Sequence, residues 1–221
     1  PEDPRDRTST LELAFGTEAS EADVVRFSER FGCEVMEGYG LSECSPVLMV
    51  NPIAANRKPG TVGLPLPGTE CRVVDPENPT EDVPEGTSGE LVVRGPQVFS
   101  GYYGKPEETD AVFVDGWFRT GDIVQIDDDG FIRIVDRIKE LIITGGFNVA
   151  PTEVENAIRQ HPDVEDVAVV GLSSEHSGEE VVAAIVLADP SASPNLEHIR
   201  EFARGILTPY KVPRRIYVVD E

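Results

Sequence analysis

The chain has no apolar run near bilayer-spanning length, and no charged, apolar, small-residue leader opens it, so neither a transmembrane helix nor a signal peptide is expected. Cysteine is scarce. Cys33, Cys44 and Cys71 form no C-x-x-C pair and are odd in number, which argues against a disulfide framework or a zinc site and fits a reduced, cytoplasmic setting. Histidine is equally sparse: His161, His176 and His198 fall at expected helix-end, loop and helix positions, and no His–Asp–Ser or His–Cys arrangement follows from their spacing. Basic residues number 19 against 41 acidic ones, a net charge of -22 that argues against nucleic acid and anionic membrane surfaces as partners. Net charge does not bear on a small anion held locally by backbone amides and an arginine. A Walker-type phosphate loop is missing too, since Gly104-Lys105-Pro106 lacks both the spacing and the hydroxyl.

What is present is a chain of 221 residues, 39% of them hydrophobic, enough for one large or two small domains. Its 18 prolines and 20 glycines lie between periodic segments, as turn punctuation. Residues 11–15 read as a strand and 16–19 as a turn. Ser20 reads as a helix cap with Asp23 three residues on, and Val24, Phe27 and Phe31 as one apolar stripe before Gly32. Residues 33–36 read as a second strand. Strand-helix-strand predicts a parallel unit whose ligand edge carries the loops 16–19 and 37–43. Residues 51–68 are rich in proline and glycine. Short apolar runs at 71–75, 90–94 and 97–99, an acidic loop at 77–86 and a short helix at 105–111 then predict a small β-barrel or sheet. A hairpin is expected over Asp127-Asp128-Asp129-Gly130. A calcium loop there is rejected, because aligning Gly130 to the loop glycine puts Gln125 at the first ligand position.

Past 136–139 a new unit begins. A strand at 141–143 and a turn at Thr144-Gly145-Gly146 precede a helix with Thr152 and Glu155 as capping box and Val154, Ala157 and Ile158 on its apolar face. Strands at 164–170 and 181–187 flank a polar loop at 173–178. Asn195 caps a last helix with Leu196, Ile199, Phe202, Ala203 and Ile206 inside, and 215–219 is a final strand. The expected fold class is thus α/β plus α+β. A large domain ends within 1–137 (an α/β unit at 1–50, a β-rich part at 51–137), and a small α+β domain occupies 138–221.

Two stretches concentrate chemistry. Residues 117–148 combine a Gly-Asp turn, an acidic hairpin, the charged Asp136-Arg137-Ile138-Lys139 junction and paired glycines, a mixture that a plain core does not need. In Glu37-Gly38-Tyr39-Gly40-Leu41-Ser42-Glu43, two glycines flank a flat ring, Ser42 offers a hydroxyl and Glu43 a hard oxygen ligand, a set suited to a planar ligand with a phosphate and its magnesium. A plain Gly-Tyr-Gly turn accounts for the same spacing.

Four segments taken together resemble the adenylate-forming superfamily of acyl-CoA synthetases, peptide-synthetase adenylation domains and luciferases. They are E-G-Y-G-L-S-E at 37–43, G-E-L-V-V-R-G-P-Q-V-F-S-G-Y-Y at 89–103, W-F-R-T-G-D at 117–122 and D-R-I-K-E-L-I-I-T-G-G-F-N-V at 136–149, in the family's order. The run G-L-S-E-C-S-P-V-L-M-V-N-P is most similar to the fatty-acyl-CoA ligase branch. The resemblance implies ATP, Mg2+ and CoA, with a carboxylic acid, chiefly a fatty acid, as small-molecule substrate. It implies that Gly16 and Thr17 border the adenine, with Glu37, Gly38, Tyr39, Gly40 and Leu41 on its other side. Ser42 would touch the α-phosphate, Glu43 would hold the metal, Asp122 and Arg137 would grip the ribose, and Ile134 would pack near the base. Lys139 would be the hinge of a mobile small domain, and Gly145, Gly146 and Phe147 would border the pantetheine tunnel. Leu41, Cys44 and Ser45 would line the acyl pocket.

Departures from the family pattern are visible. Its glycine-rich phosphate loop and the lysine of its carboxy-terminal motif are absent, Phe15-Gly16-Thr17-Glu18 differs from the expected small-residue turn, and Ser42 replaces a threonine. The expectation is a carboxy-terminal fragment of an acid–thiol ligase, inactive in adenylation on its own. An adenylation domain serving a carrier protein and a non-catalytic nucleotide-binding module are the alternatives.

Overall fold

The structure, a computed structural model, describes residues 3, 5–8, 10–17, 21–53, 56–174, 177–191 and 194–219. The expected cap Ser20, the turn residues Glu18 and Ala19, and His176 lie outside these. The chain divides into two compact units, Pro1–Ile134 and Val135–Glu221. No helix among the described residues is long and apolar enough to cross a membrane.

The first unit opens with β1 (Leu13–Gly16), α1 (Glu21–Phe31) and β2 (Glu34–Tyr39), and β1 and β2 run parallel as strand-helix-strand predicts. Gly32 ends α1 in the left-handed region at φ 66°. Only Val24 of the expected stripe is fully buried; Phe27 faces outward and meets the Phe31 ring in a tilted contact, centroids 4.5 Å apart. β2 runs three residues further than expected, because β3 (Met49–Val50) pairs with Gly38 and Tyr39, and β4 (Leu64–Pro65) extends the sheet to order β1-β2-β3-β4.

A second sheet holds β5 (Glu70–Val74), β6 (Gly89–Arg94), β7 (Phe113–Val114), β8 (Trp117–Ile126) and β9 (Ile132–Arg137), with α2 (Pro106–Val112) before β7. Its strands are ordered β5-β6-β8-β7, and β9 joins the far half of β8 across the Asp127–Gly130 turn. Residues 97–99 do not form the expected strand. Val98 N–H closes a turn onto Gly95 C=O at 3.2 Å, and Phe99 N–H donates to Glu43 C=O at 2.7 Å, so this backbone is spent on loops. The expected Gly-Asp turn at 121–122 is also revised: it is a bulge inside the continuous strand β8, described below. Leu48, Met49, Leu91, Val93, Phe118, Val124 and Ile132 form the core of this unit.

In the second unit, β10 (Ile142–Thr144) and β11 (Phe147–Val149) make a hairpin whose two-residue turn, Gly145-Gly146, has both φ positive, at 58° and 82°. α3 (Pro151–Ile158), β12 (Val164–Ser174), β13 (Gly178–Leu187), α4 (Leu196–Arg204) and β14 (Arg215–Val218) complete a five-stranded mixed sheet, order β11-β10-β13-β12 with β14 parallel to β13. β12 and β13 take in both ends of the expected polar loop at 173–178, through Ser174 and from Gly178. Both helices press Val154, Ala157, Ile158, Ile199 and Ala203 onto Val167, Val169, Val181, Ala183 and Ile185. Ile206, expected inside, is half exposed, and Leu207 takes its place in the core because the chain turns at Gly205.

Asn195 caps α4 as expected, its Oδ1 accepting from Glu197 N–H and His198 N–H. The capping box at α3 does not form. Pro151 is the first helical residue, so Thr152 lies inside the helix, and its N–H donates at 3.2 Å to the buried Asp136 carboxylate. Glu155 instead accepts from Val169 N–H on β12 at 2.8 Å.

Candidate functional site

The sequence-predicted residues of the first unit gather at the carboxyl end of β2. Neither Gly38 nor Gly40 has a positive φ, so freedom of the backbone is not what selects them. A Cβ on Gly40 would stand 1.6 Å from Pro46 O, and one on Gly38 would stand 2.7 Å from the Phe15 ring and 3.1 Å from Met49 O. The glycines are there so that the segment after β2 can fold back tightly. That return is fixed by Leu48 N–H donating to Tyr39 C=O, Asn51 N–H to Glu37 C=O and Gly60 N–H to the Glu37 carboxylate. Glu37 is buried as part of this staple, while Gly16 and Thr17 lie at the end of β1 beside it.

Tyr39 joins the two sheets of this unit. Its hydroxyl donates a short hydrogen bond to Asp122 Oδ2. Burial, and then the Asp122 charge, hold that phenol protonated far above the ordinary tyrosine range. Asp122 itself is 3% exposed and sits on the bulge of β8. There the ladder with β6 jumps from Val92↔Arg119 to Glu90↔Ile123, leaving 120–122 opposite Leu91 alone. Gly121 takes φ 75°, and the bulge turns the Asp122 carboxylate toward Tyr39.

Ser42, Glu43 and Cys44 form one 3-10 turn after Leu41, and Ser45 follows in the left-handed region at φ 57°. Ser42 is exposed. Glu43 Oε1 accepts from the Tyr102 hydroxyl at 2.9 Å, and burial followed by that bond raises the Tyr102 pKa. One carboxylate oxygen thereby stays available for a hard cation, which is what a magnesium ligand requires. Leu41 packs against the core, and Cys44 is sealed within it, its thiol pushed up to about 11 by burial. Ile134 also packs against this core.

In the second unit, Arg137 and Lys139 are exposed around the turn Ile138–Glu140. Arg137 N–H is fixed at 2.7 Å by the neighbouring Asp136 carboxylate. Gly145 and Phe147 line a cavity of about 530 Å3 together with Tyr210, Arg200, Arg204 and Arg214. Phe147 stacks on Tyr210 at 4.6 Å. Arg200 and Arg204 share a single carboxylate, Glu197, so the cavity is cationic in a strongly acidic chain. Gly146, at the hairpin tip, does not line it.

Four residues of evident importance escaped sequence reasoning: Tyr102, Asp136, Arg204 and Glu90. Tyr102 and Asp136 stand within segments already singled out, but nothing in their spacing shows their partners, which lie 59 and 16 residues away. Arg204 reads as an ordinary basic end of a helix.

Residues 2–103 match the model of the AMP-binding enzyme family, and residues 153–221 match that of the AMP-binding enzyme C-terminal domain. The chain is 44% identical over 215 residues to a long-chain-fatty-acid–CoA ligase of Escherichia coli O6:H1 (strain CFT073), covering 96% of this chain and 38% of that protein. A long-chain-fatty-acid–CoA ligase of Bacillus subtilis (strain 168) is 43% identical over 189 residues, which is 86% of this chain and 33% of that one. Among solved structures, ATP-bound MatB from Rhodopseudomonas palustris superposes with TM-score 0.86 at 37% identity, over 96% of this chain and 42% of that one. The chain therefore spans well under half the length of these relatives.

Proposed function

The chain belongs to the AMP-binding, adenylate-forming enzyme family, and on that premise we propose that the intact protein is an AMP-forming acid–thiol ligase acting on fatty acids. In the first half-reaction the carboxylate of the acid displaces pyrophosphate from ATP, giving acyl-adenylate. In the second the CoA thiol displaces AMP, giving the acyl-CoA.

The observation that carries this reading is the bulge-mounted carboxylate of Asp122 beside Tyr39. A carboxylate accepts from both hydroxyls of a vicinal diol, and the Tyr39 ring and the Gly38 backbone next to it suit the flat base of the same nucleotide. Gly16 and Thr17, at the end of β1, border that base, and Ile134 packs near it. Ser42 donates to the phosphate where the acid attacks. Glu43 holds Mg2+, which when bound neutralises charge on the transferring phosphate. The two-oxygen carboxylate with one oxygen committed to Tyr102 fits that duty.

In the second unit, Arg137 assists at the ribose and Lys139 is the pivot about which this unit turns between the half-reactions. Lys139 lies exposed on the turn Ile138–Glu140 just inside this unit. Gly145, Gly146 and Phe147 flank the pantetheine arm. The arginine-lined cavity supports CoA as the acceptor, since a polyphosphate needs local cations in a chain of net charge -22.

The test is ATP–pyrophosphate exchange by the intact protein with fatty acids of graded length, wild type against Asp122→Ala. Acid-dependent exchange that drops at least about 100-fold in the variant supports the reading. Exchange with no carboxylic acid would overturn it. Replacing CoA by a carrier protein in the second half-reaction then decides the acceptor.

A further inference from the structure

We propose that Glu90 is a positioning residue that sets the aim of Asp122, and this rests on the ribose role given to Asp122 above. Glu90 is 1% exposed, on a strand otherwise lined by valine and leucine, and a carboxylate there needs a reason. Its two oxygens divide their work. Oε2 accepts from Arg119 Nε at 2.9 Å and Nη2 at 2.6 Å, and Arg119 is itself tied to Pro76 C=O at 3.1 Å. Oε1 accepts at 3.2 Å from Gly121 N–H.

That amide is the one a bulge takes out of the strand ladder, and a buried N–H without an acceptor is costly. Glu90 supplies the acceptor from the neighbouring strand. The other side of the bulge is tied by Thr120, whose Oγ1 donates to Leu91 C=O at 2.8 Å and accepts from Asp122 N–H at 3.1 Å. A Cβ on Gly121 would meet nothing, so space does not hold the bulge in place; these hydrogen bonds do. Arg119 orients Glu90, Glu90 orients the Gly121 peptide, and that peptide orients the carboxylate meeting Tyr39. The chain of contacts ends on a nucleotide contact, so its loss should read out as lost recognition of the ribose.

The experiment compares kcat/KM for ATP with that for 2′-deoxy-ATP in fatty-acid-dependent pyrophosphate exchange by the intact protein. The ratio does not depend on how much of a preparation is folded, which separates positioning from stability. Wild type should prefer ATP by about 10- to 100-fold, the worth of one hydroxyl bonded to a charged acceptor. Glu90→Gln keeps an acceptor for Gly121 but turns a donor toward Arg119, and the preference should fall to about 3-fold or less with the fatty-acid KM unchanged. If that variant does not accumulate, Arg119→Lys replaces the two-point grip on Glu90 by a single point and should lose at least about 3-fold of the preference. Retention of the wild-type ratio in either folded variant would overturn the inference and leave Asp122 standing. A wild type indifferent to the 2′-hydroxyl would overturn the ribose reading, and the inference with it.

Discussion

Replacing Asp136 by alanine should destabilise α3 far more than altering Thr152, whose spacing with Glu155 looks like its cap. The buried Asp136 carboxylate receives Arg137 N–H at 2.7 Å and Thr152 N–H at 3.2 Å, at a helix whose first residue is Pro151. Losing an N-cap acceptor costs about 0.5–2 kcal/mol, and losing a partly buried negative charge at a helix N-terminus up to about 2 kcal/mol. The two overlap, so about 2 kcal/mol is the reasonable sum. It corresponds to about a 30-fold loss of amide protection in α3, read by native-state hydrogen exchange on Val154–Ile158 amides. Asp136→Asn keeps one acceptor and gives up the charge, and should lose about half as much. Thr152→Ala should cost under about 0.5 kcal/mol, because the Thr152 side chain is exposed and only its amide is capped. A Thr152→Ala penalty equal to that of Asp136→Ala, or an Asp136→Ala effect below about 0.3 kcal/mol, would refute the assignment.

Gly40→Ala forces a Cβ to 1.6 Å from Pro46 O and should cost at least about 3 kcal/mol in urea denaturation, whereas Gly16→Ala, with nothing within 4 Å, should cost under about 1 kcal/mol. Burial pushes the thiols of Cys44 and Cys71 up to about 11 and about 12, so at pH 8 both should react with a disulfide reagent at least about 100-fold more slowly in the folded chain than in urea. Because these folded values lie above the unfolded one, the stability they contribute is complete below about pH 8.5. It is lost as pH rises toward 11 and 12, by about 1.4 kcal/mol per pH unit per thiol, and Cys71→Ala should flatten that slope in alkaline denaturation curves. Arg204→Glu should raise the KM for CoA by about 10-fold or more without changing pyrophosphate exchange; an equal loss in both assays would remove the cavity from the acceptor site.

The elements were legible wherever periodicity or punctuation was strong. The α4 stripe up to Ala203 with its Asn195 cap, the parallel β1 and β2 around α1, and the turn at Gly145-Gly146 follow from local sequence, because each is decided by neighbours within a few residues. What failed was decided at a distance. Residues 97–99 have the composition of a strand, but their amides are claimed by the turn at Gly95 and by Glu43, more than fifty residues away. Thr152 and Glu155 have capping-box spacing, but Asp136 and Val169 reached them first.

The site shows the same division in sharper form. Its functional groups could be named because the segments at 37–43 and 117–122 resemble a family, but the reason those residue types stand there is long-range. Glycine at 38 and 40 is imposed by Phe15, Met49 and Pro46, and the aim of Asp122 by Glu90 on the adjacent strand with Arg119 on its own. A β-strand interrupted by Arg-Thr-Gly-Asp gives no periodic signal, since a bulge shifts the side-chain phase and breaks the alternation by which strands are read. Segments that break the alternation are therefore where carboxylates can leave the sheet and meet a ligand, and a buried charge on the neighbouring strand is the mark to look for beside them. In this chain that mark is Glu90, a lone acid in a run of valine and leucine, visible in the sequence before any contact of it is known.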